Sequence, residues 1–461
     1  MKTILLILTL VQMGLAFEAN KTEKIKDYLH KQKISNQEIG LIITKGENKI
    51  IFELNSDKIM IPASISKLIT SAAVLENVSS GYKFKTQLLL DKNYKIEGGI
   101  YKGTLYLKGG GDPSFVSENL WYLVNVFSRL KIQKIEGDIV VDDSLFDKVR
   151  FDESRQDVRV DRAYDAPVGA MSFNWNSVNI YVRPGDLGKK TLVFIDPAVE
   201  LFEVENKSST VSGAANNISI EKKGNVVSVH GSLGKDLKEV AIYKNISDPD
   251  IWSAENLKLF LTQRNIQVTG KVINRKTPSE AQVVAEYESK PIEHILADMN
   301  KFSNNYVAEM LTKNLSLQKN SIGSLTEGVK IINEFLKKLN LDKNSYEFYN
   351  PSGLTRDNKI SAKSMVKILN YVHADFTIFP EFLISLPIAG VDGTLKKRMK
   401  GQPTERWVRA KTGYLTGVVS LAGYAGLRDG EICQFAFIFN GKTDESKIKN
   451  IFDNILKILL E

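Results

Sequence analysis

Two β-hairpin patterns stand at opposite ends of this chain, with a long stretch of different character between them. The first, "IGLIITKGENKIIFEL", alternates around a turn at Lys45 to Lys49; the second, "VVSLAGYAGLRDGEICQFAFIF", turns at Asp429-Gly430. Helical patterns accompany both: "NKTEKIKDYLHKQ" before the first, and "PIEHILADMNKFSNNYVAEMLTKNL", "LTEGVKIINEFLKKL" and the final "DESKIKNIFDNILKILL" around the second. Between about Lys83 and Val283 the chain turns to short β-rich runs punctuated by Gly, Asn and Asp, such as "GTLYLKGGGDP", "IEGDIVVDDSLF" and "GNVVSVHGSLGK". The economical solution is one antiparallel sheet built from both chain ends, with the terminal helices on its face. The middle is then an insertion, and the fold class is α+β.

The first sixteen residues, "MKTILLILTLVQMGLA", pair an early lysine with an apolar run and small residues at Gly14 and Ala16, the pattern of a cleaved export signal. Removing it leaves 445 residues (461 − 16), enough for two or three domains. It also takes Lys2 from a net charge of +8, leaving +7. That surplus suits anionic envelope polymers or peripheral contact with lipid head groups, and an exported protein makes nucleic acid an improbable partner. The single cysteine, Cys433 in "ICQFAFIF", excludes an internal disulfide framework and reads as a core thiol. No metal or cofactor motif is present; "GGGDP" at Gly109 to Pro113 has no Gly-Lys-Ser/Thr behind it and reads as a tight turn.

Chemistry concentrates in three short strings. In "PASISKLI" (Pro62 to Ile69) the apolar run through Val78 marks a buried helix beginning near Ser64 and ending before Gly81. Residues i and i+3 share a helix face, so Ser64 meets Lys67 while Ser66 does not. Lysine serves as a base only when neutral, which takes a pKa fall from about 10.4 to roughly 7–8; an apolar helix and a second nearby cation supply it. The four histidines, at 30, 230, 294 and 373, lie in no nucleophile motif, so a Ser-His-Asp hydrolase has little support. Ser-x-x-Lys recurs at Ser80, Ser128, Ser219, Ser232, Ser316, Ser364 and Ser446, so context and not the pattern selects Ser64. The second string, Ser303-Asn304-Asn305, precedes a helix; Ser-x-Asn also occurs at Ser117, Ser172 and Ser177. The third, Lys411-Thr412-Gly413, is the chain's sole Lys-Thr-Gly and lies on a strand, where glycine admits a substrate backbone.

In that order the strings are the three signatures of active-site-serine penicillin-recognising enzymes. The chain resembles the three-domain D-alanyl-D-alanine carboxypeptidase/endopeptidases, the class C low-molecular-mass penicillin-binding proteins, also through "LYLKGGGDPSF", "YDAPVGAMSFNWNSV", "PSGLTRDNKISAKSM" and "LPIAGVDGTLKKRM". The 236 residues from Lys67 to Ser303 (303 − 67) fit that family's insertion, for which a class A β-lactamase has no place. The resemblance implies a catalytic domain from residues 17–84 and 283–461, a second domain from 85–163 and 245–282, and a third from 164–244. It implies Ser64 as nucleophile, Lys67 as its base, and Ser303, Asn305 and Lys411 as the proton relay to the leaving amine. Thr412 with Lys411 would hold the terminal carboxylate, Gly413 would let the substrate close, and the backbone N–H groups of Ser64 and Tyr414 would form the oxyanion hole. Asp142, Phe146 and Arg356 match a pocket for the stem-peptide side chain, and the acid and base together suit an amphoteric diaminopimelate end. Peptidoglycan stem peptides are thus the implied substrate and β-lactams the implied inhibitors, in the periplasm or cell envelope. Two positions depart from the family: Tyr414 where a small hydroxyl residue is usual, and Asn350-Pro351 in place of Asp-Gly.

Overall fold

The computed structural model describes residues 20–46, 49–155 and 160–461. The expected export signal, 1–16, and part of the first turn, 47–48, lie outside them. The chain forms two compact units: one comprises the residues up to Gly81, Ile292–Ala308 and Val329–Glu461, the other Tyr82–Pro291 and Glu309–Gly328.

The first unit is organised by a five-stranded sheet. Its hairpins are β1 (Ile39–Lys45) with β2 (Lys49–Leu54), and β4 (Val418–Gly426) with β5 (Ile432–Asn440); β3 (Val408–Leu415) completes it. The order is β2-β1-β5-β4-β3, all antiparallel, with Ile39 opposite Phe439 and Lys45 opposite Cys433 where the chain ends meet. Period-2 alternation explains the layers. Leu41, Ile43, Phe435, Phe437 and Phe439 point to one face, where they join Ile25 of helix α1 (20–32) and Ile448, Ile451, Phe452, Ile455, Leu456 and Leu459 of the last helix in one cluster. The last-helix residues recur at i, i+3, i+4, so the apolar stripe of "IFDNILKILL" is core, as expected, and burying each such side chain stabilises by roughly 1.5–3 kcal/mol before entropy. Cys433 is buried in the same layer. The opposite face carries α2 (Ser66–Asn77), α3 (Ile292–Lys301), the start of α4 (Asn305–Ser316) and α5 (Ala362–Ala374); Tyr424 of β4 donates its hydroxyl to Leu369 O of α5 at 2.8 Å. The closing helix is α6 (Glu445–Leu460). With helices on both faces, β4 is buried along all but its last residue.

The second unit is less purely β than its composition suggests. Its largest sheet has five strands and mixes parallel and antiparallel pairs: Val272–Asn274, Ile139–Asp142, Leu105–Lys108, Lys85–Leu90 and Gln282–Glu288. Two helices, Ser117–Ser128 and Pro249–Gln263, pack with it; Leu120, Leu123, Val124 and Phe127 share one face of the first. That 3–4 spacing was legible in "SENLWYLVNVFS", but the surrounding glycines and short strands mask it. A smaller core of Ile180, Val182, Ile220, Val227, Val229 and Leu233 lies within 164–244. Strand Ser177–Arg183 reaches both cores, since Val178 belongs to the larger one. The expected boundary at 282/283 falls inside a strand, because Gln282–Glu288 pairs with Lys85–Leu90; the first unit resumes at Ile292, and 309–328 belongs to the second unit.

Candidate active site

The turn before α2 is tighter than expected. Ala63–Ile65 form a 3-10 turn and the α-helix proper begins at Ser66, ending at Asn77. Because 3-10 geometry eclipses side chains three apart, the Ser64–Lys67 pairing survives the shift. From Pro62 to Leu75 every residue but Ser64 is buried, so Ser64 alone faces out of the buried run. Ala63 holds φ 50°, a left-handed conformation that costs a non-glycine residue on the order of 1 kcal/mol or more.

Lys67 is fully buried, and its Nζ donates to Ser64 Oγ at 3.2 Å, Asn305 Oδ1 at 2.8 Å and the Ser352 carbonyl at 2.5 Å. These partners come from three separate segments. Asn305 opens α4, directly behind Ser303, which is itself left-handed at φ 56°. Ser352 belongs to the loop "NPSG", whose shape is set by amide side chains: Asn350 Oδ1 accepts from Ser352 N at 3.0 Å, and Asn358 Oδ1 accepts from Tyr349 N and Asn350 N at 2.8 and 2.9 Å. Asn358 Nδ2 in turn donates to Ser66 Oγ at 3.1 Å, and Thr70 Oγ1 to Pro351 O at 2.8 Å, so the loop is stitched to α2. Gly353 is left-handed (φ 74°), and a β-carbon there would sit 2.1 Å from Ala63 O, so only glycine lets the loop lie this close to the serine turn.

The third wall is β3, an edge strand. Gly413 faces the serine: a β-carbon on it would stand 3.0 Å from Ser64 N, 2.7 Å from Pro62 O and 2.1 Å from Ser420 Oγ, which is held to Pro62 O at 2.6 Å. Lys411, two residues back on the same face, is completely buried; its Nζ donates to Thr412 O at 2.8 Å, and burial alone pulls its pKa down to about 7. Thr412 and Tyr414 alternate to the other face, where Thr412 Oγ1 meets Thr394 Oγ1 at 2.8 Å. Tyr414 is half exposed, with the Lys449 ammonium 4.7 Å from its ring centroid and its hydroxyl bonded to Glu445, which raises the phenol pKa. That orientation explains how a bulky residue follows Lys-Thr-Gly: the ring lies against Lys449 and Glu445 of α6, on the face away from Gly413 and the serine turn.

The remaining candidates lie elsewhere. Arg356 follows the Asn350–Gly353 turn and donates Nη2 to Thr416 O at 2.5 Å, beyond the end of β3. Asp142 and Phe146 belong to the second unit and are nearly fully buried there. Burial pushes the Asp142 carboxyl up, but hydrogen bonds from Ser144 and Thr277 outweigh it and its pKa falls below the usual range. The Phe146 ring lies 5.5 Å from Lys313 Nζ and packs where a Gly323 side chain would be. Sequence reasoning did not single out Ser352, Asn358, Thr394 or Ser420. Their contributions are a backbone carbonyl, a loop-bracing amide and hydroxyl contacts, none of which has a spacing signature; the Asn-Pro-Ser-Gly turn chemistry was the available signal.

A hydroxyl, a buried lysine and an asparagine thus converge beside an edge strand that carries a second buried lysine, a constellation able to generate and stabilise an acyl-enzyme without histidine. The model of the D-Ala-D-Ala carboxypeptidase 3 (S13) family matches residues 21–461. The chain belongs to that family. As an S13 protein it is a DD-carboxypeptidase of the penicillin-binding class. It is 28% identical over 418 residues to the D-alanyl-D-alanine carboxypeptidase of Actinomadura sp. (strain R39), covering 87% of this chain and 77% of the relative. It is also 28% identical over 415 residues to the D-alanyl-D-alanine carboxypeptidase DacB of Haemophilus influenzae, covering 87% and 86%. Penicillin binding protein 4 (dacB) of Haemophilus influenzae superposes with a TM-score of 0.79 at 25% identity, over 95% of this chain and 99% of that one, and has also been solved with a bound β-lactam. A predatory endopeptidase of Bdellovibrio bacteriovorus shares the fold at 19% identity and a TM-score of 0.53, over 91% and 92% of the two chains.

Proposed function

We propose that this S13 enzyme is exported and hydrolyses D-Ala-containing peptide bonds of peptidoglycan through an acyl-enzyme on Ser64, releasing terminal D-Ala and also opening cross-links. The carrying observation is that the Nζ of fully buried Lys67 lies 3.2 Å from Ser64 Oγ, which faces outward, and 2.8 Å from Asn305 Oδ1. Ser64 Oγ attacks the carbonyl as its proton passes to Lys67. The oxyanion forms against the N–H groups of Ser64 and Tyr414, for which the close approach of Gly413 gives room. Collapse breaks the C–N bond and expels the D-Ala amine, which takes up a proton through Ser303, Asn305 and Lys411. Water then adds to the ester carbonyl and frees Ser64. A β-lactam follows the first half of this path; its ring amide opens, but the amine stays tethered to the acyl group and obstructs water, so the adduct persists. Lys411, with Thr412 beside it, holds the terminal carboxylate, and Arg356 contributes to reading the stem-peptide side chain.

Labelling with a fluorescent penicillin tests the reading. Wild type takes the label and Ser64→Ala does not. Equal labelling of the two, or none of wild type, sinks the mechanism. Rapid penicillin turnover instead of a lasting adduct would identify a β-lactamase.

A further inference from the structure

The second unit carries an aromatic sheet face that the peptidase chemistry leaves unused. Strands Leu192–Asp196, Ser177–Arg183 and Val240–Asn245 form a three-stranded antiparallel sheet in that order. One face, with Ile180 and Val182, closes the small core. On the other, Tyr181 stands opposite Phe194, and one pair along Asn179 stands between Asp196 and Tyr243. Phe194 and Tyr243, on the two outer strands, are 46% and 51% exposed, a large apolar exposure for one small sheet face. At about 4.8 Å between strands and about 6.7 Å between same-face residues, Tyr243, Tyr181 and Phe194 form a band across the sheet. Polar groups border it: Asn179 Nδ2 donates to Tyr181 Oη at 3.4 Å, and Arg183, its guanidinium 5.2 Å from the Phe194 ring, is paired with Glu239 at 2.6 Å.

Charge identifies the occupant. The chain as a whole is at +8, yet this face sets one cation, Arg183, against two anions, Asp196 and Glu239. An anionic lipid surface or wall polymer would meet two carboxylates here and a single guanidinium already paired with Glu239. An uncharged polymer offering flat C–H faces to rings and amides and hydroxyls to Asn179 and Asp196 is complementary. We infer that the Tyr181–Phe194–Tyr243 face binds glycan strands of N-acetylated amino sugars, holding the insertion against the polymer to which the stem peptides are attached. The inference rests on the peptidoglycan reading of Ser64.

The test measures binding of the full chain to peptide-free glycan strands, by sedimentation and tyrosine fluorescence, for wild type, Phe194→Ala, Tyr243→Ala and the conservative Phe194→Tyr. Each alanine change weakens binding about 2- to 10-fold, and Phe194→Tyr restores it. Melting curves confirm folding, and turnover of a small acyl-D-Ala-D-Ala peptide stays unchanged in every variant. Absent wild-type binding to peptide-free strands, or binding indifferent to the alanine changes, overturns the inference. So does retention that requires the peptides, or capture of a protein or vesicle instead. Failure of the small-peptide assay in wild type would strike the peptidase reading alone, since strand binding is measured without it.

Discussion

Gly413→Ala tests the site where it is tightest. The added β-carbon would lie 2.1 Å from Ser420 Oγ, 1.3 Å inside the 3.4 Å at which ordinary contact begins (3.4 − 2.1). Rotating Ser420 away relieves that clash at the cost of its 2.6 Å bond to Pro62 O. It leaves the backbone overlaps, 2.7 Å to Pro62 O and 3.0 Å to Ser64 N, which only movement of β3 or of the serine turn can relieve. A few tenths of an ångström at an oxyanion donor is large on the scale of a reaction coordinate. Losing one such donor costs about 10²–10³ in rate, or about 2.7–4 kcal/mol. Stability should suffer less, by about 1–3 kcal/mol for overpacking. The assay is the rate of acylation by a fluorescent penicillin alongside D-Ala release from a small peptide, with a thermal melt on the same sample. A drop of 100-fold or more with the fold intact is expected. Acylation within about threefold of wild type would show that close approach of Gly413 does not set the oxyanion geometry.

Three further outcomes follow from the same geometry. Lys411 is neutral above about 7 when folded but only above about 10.5 when unfolded, so the unfolded chain binds more protons between those values and stability rises with pH across that window, by at most about 1.4 kcal/mol per unit. Lys411→Met should therefore raise the Tm most at pH 6 and least near pH 10 while abolishing turnover; a Tm change independent of pH contradicts the buried-lysine account. Ala63→Gly should raise the melting temperature by removing left-handed strain yet slow acylation, because the serine turn gains freedom; a faster enzyme would mean the strain has no role. Arg356→Ala should impair a diaminopimelate-bearing peptide far more than a bare acyl-D-Ala-D-Ala, and equal losses in kcat/KM would remove Arg356 from side-chain recognition.

Legibility tracked the reach of each physical signal. The central sheet could be read because alternation in "IGLIITK" and "ICQFAFIF" is a local pattern, and the fate of "IFDNILKILL" because 3–4 spacing needs no partner to be seen. Ser64 and Lys67 were legible for the same reason, since three residues on a helical turn decide their meeting. Asn305 could be proposed only through the family's motif order, and the structure places its Oδ1 2.8 Å from Lys67 Nζ. The Ser352 carbonyl was out of reach, because any residue offers one and only the fold aims it. Helix Ser117–Ser128 was readable but overlooked among its β-rich neighbours. The unit boundary at Ile292 was displaced because strand Gln282–Glu288 looks the same whichever sheet it joins.

The pairing of Ile39 with Phe439 spans 400 positions (439 − 39) and bears on when such an enzyme becomes dangerous. Ser64 and Lys67 are made well before β3 and the hairpin that seats it. A chain interrupted anywhere before residue 408 has Ser64 and Lys67 but not β3, which forms the third wall beside them. Contacts this distant in sequence also form slowly. Hydrolytic competence therefore waits until β3 and the hairpin of β4 and β5 have been made, and a copy cut short before them lacks the third wall of the site.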